Sequence, residues 1–145
     1  MIDGNLNVAV MELVEDCETV RLALGAAWED AYDCRVLSDY LAPWEPAEEA
    51  GERAEALLRR GAGMYELLCC VDEGIISLKF ARDSKRIDKL EPEIDFWRNE
   101  LALAAAEVVA YADDAAALRG ELAAWLGAAA EERQISRGRI EPLSW

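Results

Sequence analysis

The most regular stretch of the chain is residues 94–129, which read IDFWRNELALAAAEVVAYADDAAALRGELAAWLGAA. Apolar side chains recur in it at alternating intervals of three and four residues for about five heptads, a pattern typical of a helix that buries one stripe. This seam consists of Ile94, Trp97, Leu101, Ala104, Val108, Tyr111, Ala115, Leu118, Leu122, Trp125 and Ala129. Acidic residues recur beside the seam at every seventh position, namely Glu100, Glu107, Asp114 and Glu121. The pattern predicts a last helix that begins at Pro92 and ends near Ser136.

A second heptad pattern lies at the start of the chain. Asn5 can cap a helix that runs to about Leu41, where the sequence LAPWEP places two prolines that end it. Ser38 alone interrupts the apolar series. The series consists of Val10, Leu13, Cys17, Val20, Leu24, Ala27, Ala31, Cys34 and Leu41.

Apolar residues of the first helix also lie outside its seam, among them Leu22, Tyr32 and Val36. A helix with apolar groups beyond one stripe either packs among several partners or offers a second interface. These residues are therefore candidates for self-association, for example as a homodimer.

The segment between these two helices predicts a rod in two parts. One helix spans about 47–60, a break falls at Gly61–Gly63 because glycine destabilises a helix, and another helix spans about 64–90. The two parts together match the other helices in length. The sequence predicts an all-α fold, an elongated antiparallel bundle of three long rods with the middle one broken; a compact four- or five-helix bundle is the alternative. We expect one domain over 1–136 and a tail over 137–145.

The composition restricts the chemistry. The chain of 145 residues contains no histidine, which removes the commonest general base and the commonest metal ligand. We therefore expect no catalytic residues, no cofactor and no metal site. The four cysteines are interpreted as small buried side chains with reduced thiols. The start of the chain lacks an export signal and no uncharged apolar run could cross a bilayer, so we expect a cytoplasmic protein with no membrane contact.

The net charge of −15 is unevenly distributed. Residues 1–58 contain 14 acidic and 3 basic groups, whereas residues 59–99 contain 8 of each. The acidic groups and one turn tryptophan are the candidate partner-binding residues: Glu12, Glu15, Asp16, Glu18, Glu29, Asp30, Asp33, Trp44, Glu48, Glu49, Glu52 and Glu55.

A basic stripe contrasts with this excess. Lys79, Arg82, Arg86 and Lys89 share one helix face, and a hairpin onto the last helix would place them opposite its acidic column. Internal pairing is the favoured interpretation, and a docking site for nucleic acid is disfavoured because the surrounding acidic groups repel phosphate.

These features favour a non-enzymatic binding protein whose acidic face docks on a basic partner. One form of this hypothesis is an inhibitor or immunity-type protein that occupies the nucleic-acid site of a nucleic-acid-handling protein, without itself binding nucleic acid. The alternative is a structural or adaptor bundle that self-associates or scaffolds an assembly, its acidic surface serving solubility. An enzyme would need a cleft that the sequence does not reveal.

Overall fold

The computed structural model describes residues 2–41, 45–83 and 90–140, with side chains described for 6–41, 48–81 and 90–128. Three helices make up these ranges: α1 (Ile2–Tyr40), α2 (Glu45–Asp83) and α3 (Leu90–Ile140). Each helix contacts the other two. No strand occurs within the described ranges, so the prediction of an all-α fold of packed helices is confirmed.

The number of helices differs from the prediction. The sequence divided the middle rod at Gly61–Gly63 and left a four- or five-helix bundle as the alternative, whereas α2 runs unbroken from Glu45 to Asp83. A Cβ added at Gly61 would lie only 2.5 Å from Oη of Tyr111 and 2.8 Å from Cδ1 of Trp28. This glycine therefore provides space for two aromatic rings instead of breaking the helix, and the packing offsets its helix penalty of about 1 kcal/mol.

Predicted helix ends also move, and α3 begins at Leu90 instead of Pro92. Helix α1 begins at Ile2, so Asn5 lies inside the helix and does not cap it. Helix α3 continues to Ile140, four residues beyond Ser136. Cap and glycine preferences are worth only about 1 kcal/mol, too little to fix an end where the neighbouring residues also form helix. The division into a domain over 1–136 and a tail stays a prediction.

Contacts between the helices define an up-down-up topology. Leu13 and Leu101 line one groove between α1 and α3, and further along both helices Arg119 contacts Asp30, so these helices are parallel. Helix α2 is antiparallel to both, because its later residues contact earlier residues of α1 and α3.

The core follows the predicted seams of α1 and α3, except that Val20, Trp97 and Trp125 are only partly buried. The side chain of Ala129 lies outside the described ones. Ser38, the one polar interruption, is buried and its hydroxyl donates a 2.8 Å hydrogen bond to the carbonyl of Arg35. The largest fully buried side chains are Tyr111, Leu13, Leu68, Ile75, Leu78, Leu90, Leu118 and Leu122.

Candidate functional site

The solvent side of α1 carries a second heptad pattern, distinct from its core seam. The predicted self-association residues Leu22, Tyr32 and Val36 lie on it and are 67%, 50% and 51% exposed. Exposed carboxylates lie on the same face. Read along the helix, the face consists of Val8, Met11, Glu15, Glu18, Leu22, Gly25, Glu29, Tyr32 and Val36. This face is therefore both apolar and acidic.

Beside this face, α1 and α2 enclose an apolar groove of about 650 Å³. Leu22 and Trp28 of α1 and Tyr65 of α2 provide its large side chains, and Gly25 and Gly61 contribute no side chains. The volume falls within the roughly 300–1,000 Å³ of typical ligand clefts. We call this feature the α1–α2 groove.

Charged residues line the same groove. Glu18 and Glu66 contribute carboxylates from opposite helices, and Arg21 is the only base among the lining residues. Arg21 Nη1 lies 3.6 Å from Glu18 Oε2, so its charge is already partly compensated. The groove therefore presents an excess of negative charge around an apolar centre.

Trp28 belongs to this groove and not to the core. Its side chain is 41% exposed. Its ring stacks on Tyr32, with the ring centroids 5.7 Å apart and the planes at 18°. The edge of the indole ring rests above Gly61, where a side chain on α2 would displace it.

Behind Gly61 lies the fully buried Tyr111 of α3. Among the described residues, its hydroxyl is the one buried side-chain N or O atom without a hydrogen-bond partner. Burial raises the pKa of Tyr111, and the guanidinium of Arg60, 5.4 Å from the ring centroid, opposes this effect. The tyrosine supports the groove from below.

A second, acidic cleft of about 290 Å³ lies between α1 and α2, nearer the end of α1. Arg35 is at its centre, with Nη1 2.9 Å from Asp39 Oδ1 and Nη2 3.3 Å from Glu55 Oε1. Glu48 and Glu52 line the cleft as well. One guanidinium thus faces four carboxylates, and the cleft keeps a negative charge.

The predicted acidic residues do not form one surface. Asp30 and Asp33 are half-buried and turn toward α3, where Arg119 lies 2.9 Å and 3.6 Å from their carboxylate oxygens. Asp16 lines the groove between α1 and α3, although it is a sequence neighbour of Glu18. Neighbours along a helix point to different sides, which separates these clusters.

Seven of the predicted acidic residues are exposed and take part in no ion pair among the described residues. They are Glu12, Glu15, Asp16, Glu29, Glu48, Glu49 and Glu52. Trp44 lies outside the described residues.

The acidic column of α3 pairs with arginines that the sequence reasoning missed. Arg53 Nη1 lies 2.7 Å from Glu121 Oε2, and Arg60 Nη1 lies 2.6 Å from Asp114 Oδ2. The sequence contains a signal for this pairing, because Arg53 and Arg60 are seven residues apart and so are Asp114 and Glu121. Of the basic stripe, Lys79 is described and exposed. The side chains of its other members, Arg82, Arg86 and Lys89, lie outside the described ones.

All four cysteines are free thiols. Cys17 and Cys34 are buried as predicted, but Cys69 and Cys70 are exposed because they follow the core residue Leu68 on the outer side of α2. Burial raises the pKa of Cys34 from 9.0 to about 11.

No three histidine, cysteine or acidic residues are close enough to hold a metal ion in the described part of the chain. Nor is any described helix sufficiently long and apolar to cross a lipid bilayer. Comparison with known protein families, curated proteins and solved structures gives no match.

Proposed function

We propose that this protein is a non-enzymatic binding protein that docks through the α1–α2 side of the bundle on a basic surface of a partner macromolecule. The observation that carries the proposal is the apolar groove, which is lined by Glu18 and Glu66 and is followed on the same side of the bundle by an acidic cleft. Stable interfaces combine apolar anchors near the centre with a polar rim, and Trp28 and Tyr65 are anchors of the residue types enriched there.

The carboxylates on this side of the bundle favour a partner with a basic surface. Glu15 and Glu29 are exposed on the solvent side of α1, and Glu48 and Glu52 line the cleft further along. Such a one-sided field accelerates encounter with a basic surface and makes binding sensitive to salt. An inhibitor or immunity-type protein that blocks a nucleic-acid-handling partner would use this surface in place of phosphates.

Affinity capture with matched charge variants tests the proposal. The double variant Glu15→Gln/Glu29→Gln removes two carboxylates from the exposed face of α1, and Glu107→Gln/Asp113→Asn removes two from the exposed surface of α3. We expect the first double variant to lose a basic partner that wild type and the second one retain, with release by moderate salt. Equal retention by both double variants would contradict docking at this face.

The inhibitor form has its own test. When a nucleic-acid-handling partner is recovered, added wild-type protein should compete with its nucleic acid, and Glu15→Gln/Glu29→Gln should compete less. Binding of the partner without any competition would limit the function to docking.

Self-association is the second candidate, favoured by the exposed apolar residues Leu22, Tyr32 and Val36 on one helix face. Light scattering of wild type and of Leu22→Glu/Val36→Glu separates the two functions. A dimer that the variant abolishes supports a structural or adaptor role, and a wild-type monomer at high concentration excludes it.

A further inference from the structure

We propose that the α1–α2 groove receives a basic amphipathic helix of the partner, which packs there as the fourth helix of a bundle. The inference rests on the proposed function and specifies the structural element that the partner contributes. It follows from the shape of the groove, from the charge along it, and from the unsuitability of a second copy as its occupant.

The groove has the shape that a helix requires. It lies between two long antiparallel helices, and Gly25 and Ala62 contribute no large side chain to its lining. Nothing lies within 4 Å of the place where a Cβ of Gly25 would be. Small residues flanked by large ones on adjacent helices form the holes into which the side chains of another helix insert.

Negative charge continues along the groove axis. Glu18 and Glu66 border the groove, and the acidic cleft with Glu48 and Glu52 lies on the same side of the bundle. From Leu24 in the groove to Ser38 in the cleft is 14 residues of α1, about 21 Å. An occupant helix that spans both sites therefore needs apolar residues toward the groove and Lys or Arg beside them.

A second copy that pairs through α1 with Leu22 at the centre would bring like charges together. In an antiparallel pair of α1 helices centred on Leu22, Glu15 of each copy, seven residues before the centre, would face Glu29 of the other, seven residues after it. A parallel pair would place each glutamate against itself. Like charges at such positions oppose association, whereas Lys or Arg there would support it.

A synthetic helix tests the proposal directly. The probe is a fluorescein-labelled, end-capped peptide of about 21 residues, about 31 Å as a helix, with Leu at heptad positions a and d and Lys at e and g. Two control peptides are a scramble of the same composition and an acidic version with Glu in place of Lys. Fluorescence anisotropy at low salt measures binding, and circular dichroism measures the helix gained.

Two glycine variants locate the binding site. Gly25→Leu fills the groove, and Gly120→Leu adds the same side chain at an exposed, open position of α3. Because leucine forms helix better than glycine, both variants should fold, which their circular dichroism and unfolding curves verify.

We expect the basic amphipathic peptide to gain helix and to bind at least about tenfold more tightly than either control peptide. Gly25→Leu should weaken binding of this peptide about tenfold or more, and Gly120→Leu should change its affinity less than about twofold.

Equal binding of the scramble, unaffected by Gly25→Leu, would overturn the helix-in-groove inference and leave acidic docking intact. Equal binding of the acidic peptide would overturn the charge complementarity on which both proposals depend. If none of the peptides binds, the inference is wrong, and the capture experiment with Glu15→Gln/Glu29→Gln decides the proposed function separately.

Discussion

Replacement of Gly61 by alanine tests the packing that supports the groove. The new Cβ would lie 2.5 Å from Oη of Tyr111 and 2.8 Å from Cδ1 of Trp28. Carbon atoms in contact are normally about 3.5–4.0 Å apart, so both rings would have to move by about 1 Å. Tyr111 is fully buried, whereas Trp28 is 41% exposed and can move toward solvent.

The magnitude follows from two opposing terms. Alanine in place of glycine stabilises a helix by about 1 kcal/mol, and overpacking of a core costs about 1–3 kcal/mol. Because Tyr111 is enclosed, we expect the upper part of that range and a net loss of about 2 kcal/mol for Gly61→Ala. Gly63→Ala is the matched control, since its Cβ would meet nothing within 4 Å and should stabilise the protein by about 1 kcal/mol.

Urea and thermal unfolding followed by circular dichroism measure both variants. At about 3 °C per kcal/mol, Gly61→Ala should lower the Tm by about 6 °C and Gly63→Ala should raise it by about 3 °C. If Gly61→Ala were stabilised as much as Gly63→Ala, Gly61 would not lie against Tyr111. The continuous α2 and the described floor of the groove would then be wrong.

Three further predictions concern thiols and ion pairs. A thiol reagent at mildly alkaline pH should modify Cys69 and Cys70 quickly and the buried Cys17 and Cys34 only at the unfolding rate, with all four reacting in denaturant; four equally fast thiols would contradict the packing. Because folding raises the pKa of Cys34 from 9.0 to about 11, its contribution to stability is complete below pH 9 and is lost as the pH rises toward 11. The loss is at most about 3 kcal/mol. For Cys34→Ala, the free energy of unfolding measured with urea should decrease less at alkaline pH than it does for wild type. Arg119→Met should cost less than about 1 kcal/mol at low salt and nearly nothing at roughly 1 M salt, since its ion pairs are half-exposed; a larger, salt-independent loss would indicate a packing role for its stem.

Sequence periodicity predicted most of the helical framework and much less of the candidate site. The seams of α1 and α3 predicted most of the buried positions of these two helices, for example Leu13 and Tyr111. Burial of a helix stripe follows the spacing of apolar residues along the chain. The exposed Leu22, Tyr32 and Val36 were found in the same way, as apolar residues that the seam does not use. The groove beside them was not predicted, since it depends on which flank of α2 lies against α1.

The amino-acid sequence by itself determined the helical class, the two core seams and the concentration of negative charge in the first 58 residues, because each depends only on composition and spacing along the chain. Tertiary structure alone decided that Gly61 makes room for Trp28 and Tyr111 instead of ending a helix. It also directed Asp30 to an arginine of α3 and left Glu29 exposed and unpaired among the described residues. Such outcomes depend on contacts between residues far apart in the sequence. The spacing of residues within one helix does not determine which other helix packs against its sides.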